Sequence, residues 1–129
     1  MAFVLDLSDS YSWPVTVKVP QDGGRFRSYA FDVEFLRVSQ ERREELGRQL
    51  AAQQNRVEAG DFEGELLTPR SIAQELVVGW SGILTSEGKG AEEVPYSEAT
   101  KAQLLNVPDV AEAILQAWQA SIPGAKAKN

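Results

Sequence analysis

The chain has 129 residues, of which 43% are hydrophobic and 25% charged, a size and composition that suit one globular domain. It contains no cysteine and no histidine, which excludes disulfides, thiolate metal sites and catalysis by imidazole. The formal net charge of −6 disfavours binding to nucleic-acid phosphates, and no apolar run reaches the roughly 18 residues that a membrane span needs.

The first third of the chain predicts an antiparallel β-hairpin. From Trp13 to Val19, valines alternate with polar residues, the period-two pattern of a half-buried strand. A second alternating run places four large side chains on one face, namely Tyr29, Phe31, Val33 and Phe35. The paired glycines of Gln21-Asp22-Gly23-Gly24 suit the turn between them. The run Phe3-Val4-Leu5 is a candidate third strand. The start of the chain lacks the basic residues expected of a signal peptide.

Two helices are predicted in the middle of the chain. Ser39 is in the position of an N-cap, and the helix after it runs to about Arg56 with a thin apolar stripe. Thr68-Pro69 starts a second and more hydrophobic helix. Its apolar residues Ile72, Leu76, Trp80 and Ile83 recur at helical spacing, although Gly79 and Gly82 within it each cost about 1 kcal/mol against alanine.

The last third predicts two further helices and a tail. Ser97 caps a short helix, and Pro108 opens a final helix whose apolar face includes Trp118 and reaches Ile122. We therefore expect one α+β domain over residues 1–124, in which a hairpin of two or three strands precedes about four helices. Residues 125–129 are expected to form a flexible tail.

Motifs for catalysis are incomplete. Gly88-Lys89-Gly90 lacks the hydroxyl residue that follows the lysine of a phosphate loop. Around Ser81, the Gly-x-Ser-x-Gly motif of a nucleophile elbow requires a second glycine at position 83, where this chain has Ile83. The adjacent acids Glu92 and Glu93 suit neither a glycosidase pair nor a calcium loop. We expect no catalytic, cofactor-binding or metal-binding residues, and a carboxylate-based enzyme is the least favoured alternative.

The apolar residues of the chain suggest a protein-binding role, because a domain this small has difficulty burying every apolar face within one molecule. The residues proposed for partner binding are Trp13, Val78, Trp80 and Ile83. Trp80 is favoured as a core residue, because it lies on the apolar stripe of its predicted helix. Trp13, beside Pro14 at the start of a strand, suits the core and a partner contact equally. A helix as apolar as the one from Thr68 to Ile83 is either central to a bundle or open to a partner helix or a second copy.

Three stretches between residues 13 and 120 combine these features in a particular order. The first is Val15-x-Val17-x-Val19-Pro20-x-Asp22-Gly23 with the strand ending Phe35-Leu36-Arg37-Val38-Ser39-x-Glu41. The second is Val77-Val78-Gly79-Trp80-Ser81-Gly82-Ile83 and, after an acidic loop, Val94-Pro95-Tyr96-Ser97. The third is Leu104-Leu105-Asn106-Val107-Pro108-Asp109-Val110 with the helix that carries Trp118. Together they resemble the tail assembly chaperones of long-tailed, siphovirus-type bacteriophages and prophages.

The resemblance implies a function that the residues alone do not. Such a chaperone binds the tape measure protein, a very long helical chain, and keeps it soluble until tail tube subunits polymerise around it. It works in the host cytoplasm, is not part of the mature virion, and in many phages has a longer form made by ribosomal frameshifting. The family has no catalytic or cofactor residues. The main alternative is a structural tail protein, such as a tube, completion or terminator component, that stays in the virion.

Overall fold

A computed structural model describes residues 1–64 and 66–123. Three strands and four helices follow in the order β1 (Ser10–Gln21), β2 (Arg25–Leu36), α1 (Gln40–Glu58), α2 (Pro69–Leu76), β3 (Val77–Ser81), α3 (Glu98–Leu105) and α4 (Val110–Ala120). The predicted α+β class, with an antiparallel hairpin and four helices in one domain, is confirmed. The predicted tail at residues 125–129 lies outside the described residues.

The hairpin forms where the alternating pattern places it. β1 and β2 pair antiparallel from Ser10↔Leu36 to Gln21↔Arg25, and both glycines of the turn have positive φ, 80° at Gly23 and 76° at Gly24. β2 is the central strand of the sheet, between β1 and β3. β1 is therefore an edge strand, and it contains two prolines, Pro14 and Pro20.

The third strand differs from the prediction. Phe3-Val4-Leu5 forms no strand, and β3 comes instead from residues that the helical spacing assigned to the second helix. That helix ends at Leu76, and Val77–Ser81 pairs antiparallel with β2, with a bulge opposite Glu34 and Phe35. Glycine at position 79 suits the close pairing of β3 with β2, because a Cβ there would lie 3.3 Å from the Cβ of Glu34.

A buried lysine holds the junction at which α2 becomes β3. Lys101 is 4% exposed, and its Nζ donates hydrogen bonds to the backbone oxygens of Gln74 and Val77, at 3.0 Å each. The Tyr96 hydroxyl donates to the same Val77 oxygen at 3.3 Å. Carbonyls at the end of a helix have no partners within the helix. Lys101 and Tyr96 supply those partners, so the chain leaves the helix without a loop.

The helix starts follow the sequence more closely than the helix ends. Ser39 Oγ accepts a hydrogen bond from the Arg42 N–H at 3.0 Å, as expected of an N-cap. Thr68 and Ser97 each form a reciprocal capping box with the residue three positions later. The final helix is shorter than predicted, running over Val110–Ala120 rather than from Pro108 to Ile122.

The core lies between one face of the sheet and helices α2, α3 and α4. The largest fully buried side chains are Phe35, Leu76, Ile114, Val15, Val33 and Val77. Helix α4 packs on β1 and on α2, whereas Leu46 is the buried residue of α1. The predicted aromatic face of β2 turns toward this core, but its burial falls from Phe35, 0% exposed, to Tyr29, 36% exposed. No helix of residues 1–64 and 66–123 is long and apolar enough to cross a membrane.

Candidate protein-binding groove

A groove of about 510 Å³ opens between β1, the connection from β2 to α1, and the end of α4. Its lining combines aromatic and aliphatic side chains with two arginines: Leu7, Tyr11, Trp13, Leu36, Arg37, Val38, Arg43, Trp118, Ser121, Ile122 and Pro123. We call it the β1–α4 groove. Apolar grooves with a few polar groups are the usual form of a binding site in proteins.

Strand and helix geometry bring the aromatic residues together. Tyr11 and Trp13 are two positions apart on β1, so they share the face that turns to the helices. Trp118 on α4 is 9% exposed and belongs to the core, as the sequence predicts, while Trp13 is partly exposed and packs against that core. The groove therefore has a fixed aromatic floor, Trp118, beside a ring that a partner can reach, Trp13.

A hydrogen-bond chain joins the two walls of the groove. The Ser121 hydroxyl donates to the Trp118 backbone oxygen at 2.6 Å. Its only hydrogen is then used, so in the 2.6 Å contact between the Tyr11 and Ser121 hydroxyls the tyrosine donates. The Tyr11 ring also packs on Phe35, with 5.9 Å between ring centroids. These contacts join strand β1 to the end of α4.

The charge of the groove is opposite to that of the chain as a whole. Its described lining contains Arg37 and Arg43 and no carboxylate, in a chain of net charge −6. The Arg37 guanidinium lies 4.9 Å from the Tyr11 ring centroid, a cation–π contact. Arg43 is exposed and forms no salt bridge with any described residue. A ligand of this groove gains from carrying acidic groups.

The neighbouring Arg42 is already engaged and does not contribute to this charge. Its Nε donates to a Glu75 carboxylate oxygen at 2.7 Å, and Nη2 bonds the other oxygen. This paired guanidinium lowers the pKa of Glu75 below its ordinary value. The pair connects α1 to α2. Arg37 and Arg43 remain as the two cations that face the groove.

The four residues proposed from the sequence do not lie together. Trp13 lines the groove, whereas Trp80 and Ile83 hold the segment after β3. The Trp80 indole N–H donates to the Val94 oxygen at 2.8 Å, and the Ile83 oxygen accepts from the Val94 N–H at 2.7 Å. Trp80 also packs edge-on against Tyr96, with 5.0 Å between ring centroids. Val78 is 36% exposed beside the β3 bulge.

Sequence reasoning missed most of the groove. Tyr11 continues the alternation of Trp13 and Val15 toward the start of the chain, and this signal was sufficient to place it on the same face. Arg37 and Arg43 gave no such signal, because acids interleave with them along the chain and predict a solvated helix face. Only the folded chain separates these arginines from the acids.

A second depression, of about 630 Å³, lies between the start of α2 and the α3–α4 connection. No aromatic residue lines it, and its charged residues have mixed signs: Arg70, Asp109 and Glu112. Within residues 1–64 and 66–123, no group of three or more acidic side chains is arranged to hold a metal ion. The β1–α4 groove is therefore the stronger candidate for binding.

Comparison with known proteins shows the family of the chain. No curated protein and no solved structure matches it. The sequence model of one family, described as YdaY prophage protein, matches residues 38–126. This match covers more than half of the chain, from the β2–α1 connection through α1, all later elements and the residues that follow α4. The chain therefore belongs to the YdaY prophage protein family.

Proposed function

We propose that this prophage protein is a tail assembly chaperone, which binds the tape measure protein and keeps it soluble while tail tube subunits assemble around it. The β1–α4 groove is the observation that carries the proposal, because its accessible aromatic ring and two arginines form a surface for protein ligands. Membership of a prophage family and the resemblance of three ordered stretches to tail assembly chaperones supply the context.

The chemistry of the groove suits an amphipathic helix. Such a helix presents apolar side chains at intervals of three and four residues, which pack into a hydrophobic groove. Trp13 supplies the kind of anchor that dominates binding energy at protein interfaces. Arg37 and Arg43 favour helices whose apolar stripe is flanked by Asp or Glu. A long helical client contains many such stretches, so one chaperone site is usable repeatedly along it.

Co-expression with the tape measure protein tests the proposal. With the unaltered chain, the client is expected in the soluble fraction and in a complex that co-purifies. Trp13→Ala and Arg43→Glu should each reduce recovery of the complex, because they remove the accessible ring and reverse one groove charge. Phe26→Ala is the matched control for the loss of an aromatic ring, since Phe26 is 68% exposed and lies outside the groove lining.

Two results would contradict the proposal. One is a client that stays insoluble whether or not the unaltered chain is present. The other is a recovery of the complex that falls as much with Phe26→Ala as with Trp13→Ala, which would place the contact outside the groove. Thermal melting of each variant shows whether a loss of binding comes from unfolding. Arg43→Glu is the more informative change here, because Arg43 is exposed and forms no salt bridge with the described residues.

A further inference from the structure

The segment before β1, residues 1–7, exposes an unusual amount of apolar surface. Phe3 is 83% exposed and Leu5 94%, with Val4 at 58% and Leu7 at 48%. Exposed side chains of this kind are ordinary when single, but a contiguous set marks an interaction site. The set contains one acid, Asp6.

This segment begins at the groove and leads away from it. Leu7 lines the β1–α4 groove, and the Asp9 backbone oxygen accepts a hydrogen bond from the Arg37 N–H at 2.8 Å. The chain is therefore anchored beside the groove at residues 7–9, while Phe3 and Leu5 project into solvent. To reach its own groove, the segment would have to fold back over Leu7, which already occupies part of the lining. The groove of a neighbouring molecule needs no such reversal.

We propose that residues 1–6 of a second copy occupy the β1–α4 groove, and that the exchange is reciprocal. Phe3 and Leu5 then pack beside Trp13 and Ile122, and Asp6 faces the positive charge of Arg43. An exchange of identical segments about a twofold axis closes into a dimer without leaving a free end. The segment also competes with the client, so dimer formation stores the chaperone with its apolar groove covered. This last statement rests on the proposed function.

Light scattering and sedimentation equilibrium of the purified full-length chain test the exchange. The unaltered chain is expected to form a concentration-dependent dimer. The double variant Phe3→Ser, Leu5→Ser should weaken the dimer by roughly a hundredfold or more, because it removes two large apolar side chains from the interface. The matched control is Phe62→Ser with Leu84→Ser, since Phe62 is 64% exposed and Leu84 is 57% exposed, and neither lines the groove.

A charge exchange identifies the groove as the acceptor. Arg43→Glu and Asp6→Arg should each weaken the dimer about fivefold to tenfold, as expected when an attraction between exposed charges becomes a repulsion. The two substitutions in one chain should restore dimerisation, since each groove again meets a segment of opposite charge. Both side chains are exposed, so neither change disturbs the core.

The outcomes separate this inference from the proposed function. A chain that is monomeric at every concentration, a dimer insensitive to Phe3→Ser with Leu5→Ser, or a charge exchange that fails to restore dimerisation would each overturn the inference. A monomer that still keeps the client soluble would overturn the exchange alone. A dimer restored by the charge exchange, with no effect on the client, would confirm the exchange and contradict the chaperone.

Discussion

Asp109 adopts a backbone conformation that few residues other than glycine accept. Its φ is 69° and its ψ is −8°, in the left-handed region, and its side chain makes no capping hydrogen bond to α4. For an L-residue this region costs roughly 1–2 kcal/mol, and Asp and Asn tolerate it better than residues with other side chains. The conformation lies in the short connection between α3 and α4, where Pro108 precedes it. The packing of the two helices therefore maintains a locally unfavourable turn.

Substitutions at Asp109 measure this strain directly. Asp109→Gly should be more stable than Asp109→Ala by about 1 kcal/mol, because glycine accepts positive φ and alanine does not. Both variants lose the same carboxylate, so the comparison cancels its electrostatic effect on α4. Urea unfolding midpoints of the two variants are the measurement. Equal midpoints would mean that the connection relaxes to an ordinary conformation when the aspartate is removed.

At the scale of elements, the junction between α2 and β3 depends on a side chain from elsewhere in the chain. Lys101, on α3, satisfies the backbone oxygens of Gln74 and Val77 and lies 3.5 Å from a Glu98 carboxylate oxygen. Its ammonium also lies 5.5 Å from the Tyr96 ring centroid. A buried lysine is tolerated only with partners of this kind.

Lys101→Met should destabilise the chain by about 2–3 kcal/mol. Methionine retains the apolar stem, but it removes the Lys101 donor from the Gln74 oxygen and leaves the Val77 oxygen with the 3.3 Å bond from Tyr96. Lys89→Met is the matched control, because Lys89 is exposed in the segment between β3 and α3 and should change stability little. Denaturant unfolding of both variants is the measurement. A loss at Lys101 no larger than at Lys89 would show that Tyr96 alone suffices to hold the junction.

The same junction explains what the sequence predicted well and what it did not. Helix starts depend on neighbours within four residues, so the caps at Ser39, Thr68 and Ser97 were predicted from local residues. The end of α2 depends on Lys101, far along the chain, and on pairing with β2. Helical spacing from Ile72 through Ile83 was therefore a misleading signal, since tertiary pairing overrides a local period.

The candidate site, too, was predicted from the sequence only in part. Trp13, beside Pro14 at a strand start, suited the core and a partner contact equally from the sequence, and the structure places it in the lining of the groove. Its neighbours in the groove come from both ends of the chain, Leu7 and Tyr11 near one and Trp118 and Ile122 near the other. No local pattern shows that such distant residues meet. Trp80 and Ile83, assigned to a helix from spacing, lie instead on and after β3, where they hold the following segment.

At the scale of the whole molecule, the decisive question for the proposed role is where the protein is when assembly ends. A chaperone that remains in the host cytoplasm should be missing from purified particles that contain the tape measure and tube proteins. Quantitative mass spectrometry of particles and of the producing cells measures this. The chain is expected in the cell lysate and only at trace level in particles. Recovery in a fixed ratio to the tail subunits would instead identify a structural tail component.

The two edge strands of the sheet affect how readily this chain could pair with an apolar client by strand addition. β1 is the long edge, and Pro14 and Pro20 both occupy even-numbered positions, so their nitrogens face the same side. A strand accepts proline where the proline nitrogen points away from the paired strand. At Pro14 and Pro20 the open edge of β1 therefore lacks two backbone N–H donors. The other edge, β3, is only five residues long. Unprotected strand edges are templates for runaway strand addition and fibre growth. The prolines of β1 and the shortness of β3 therefore reduce the main-chain donors that are open to strand addition, which favours side-chain contact with a client.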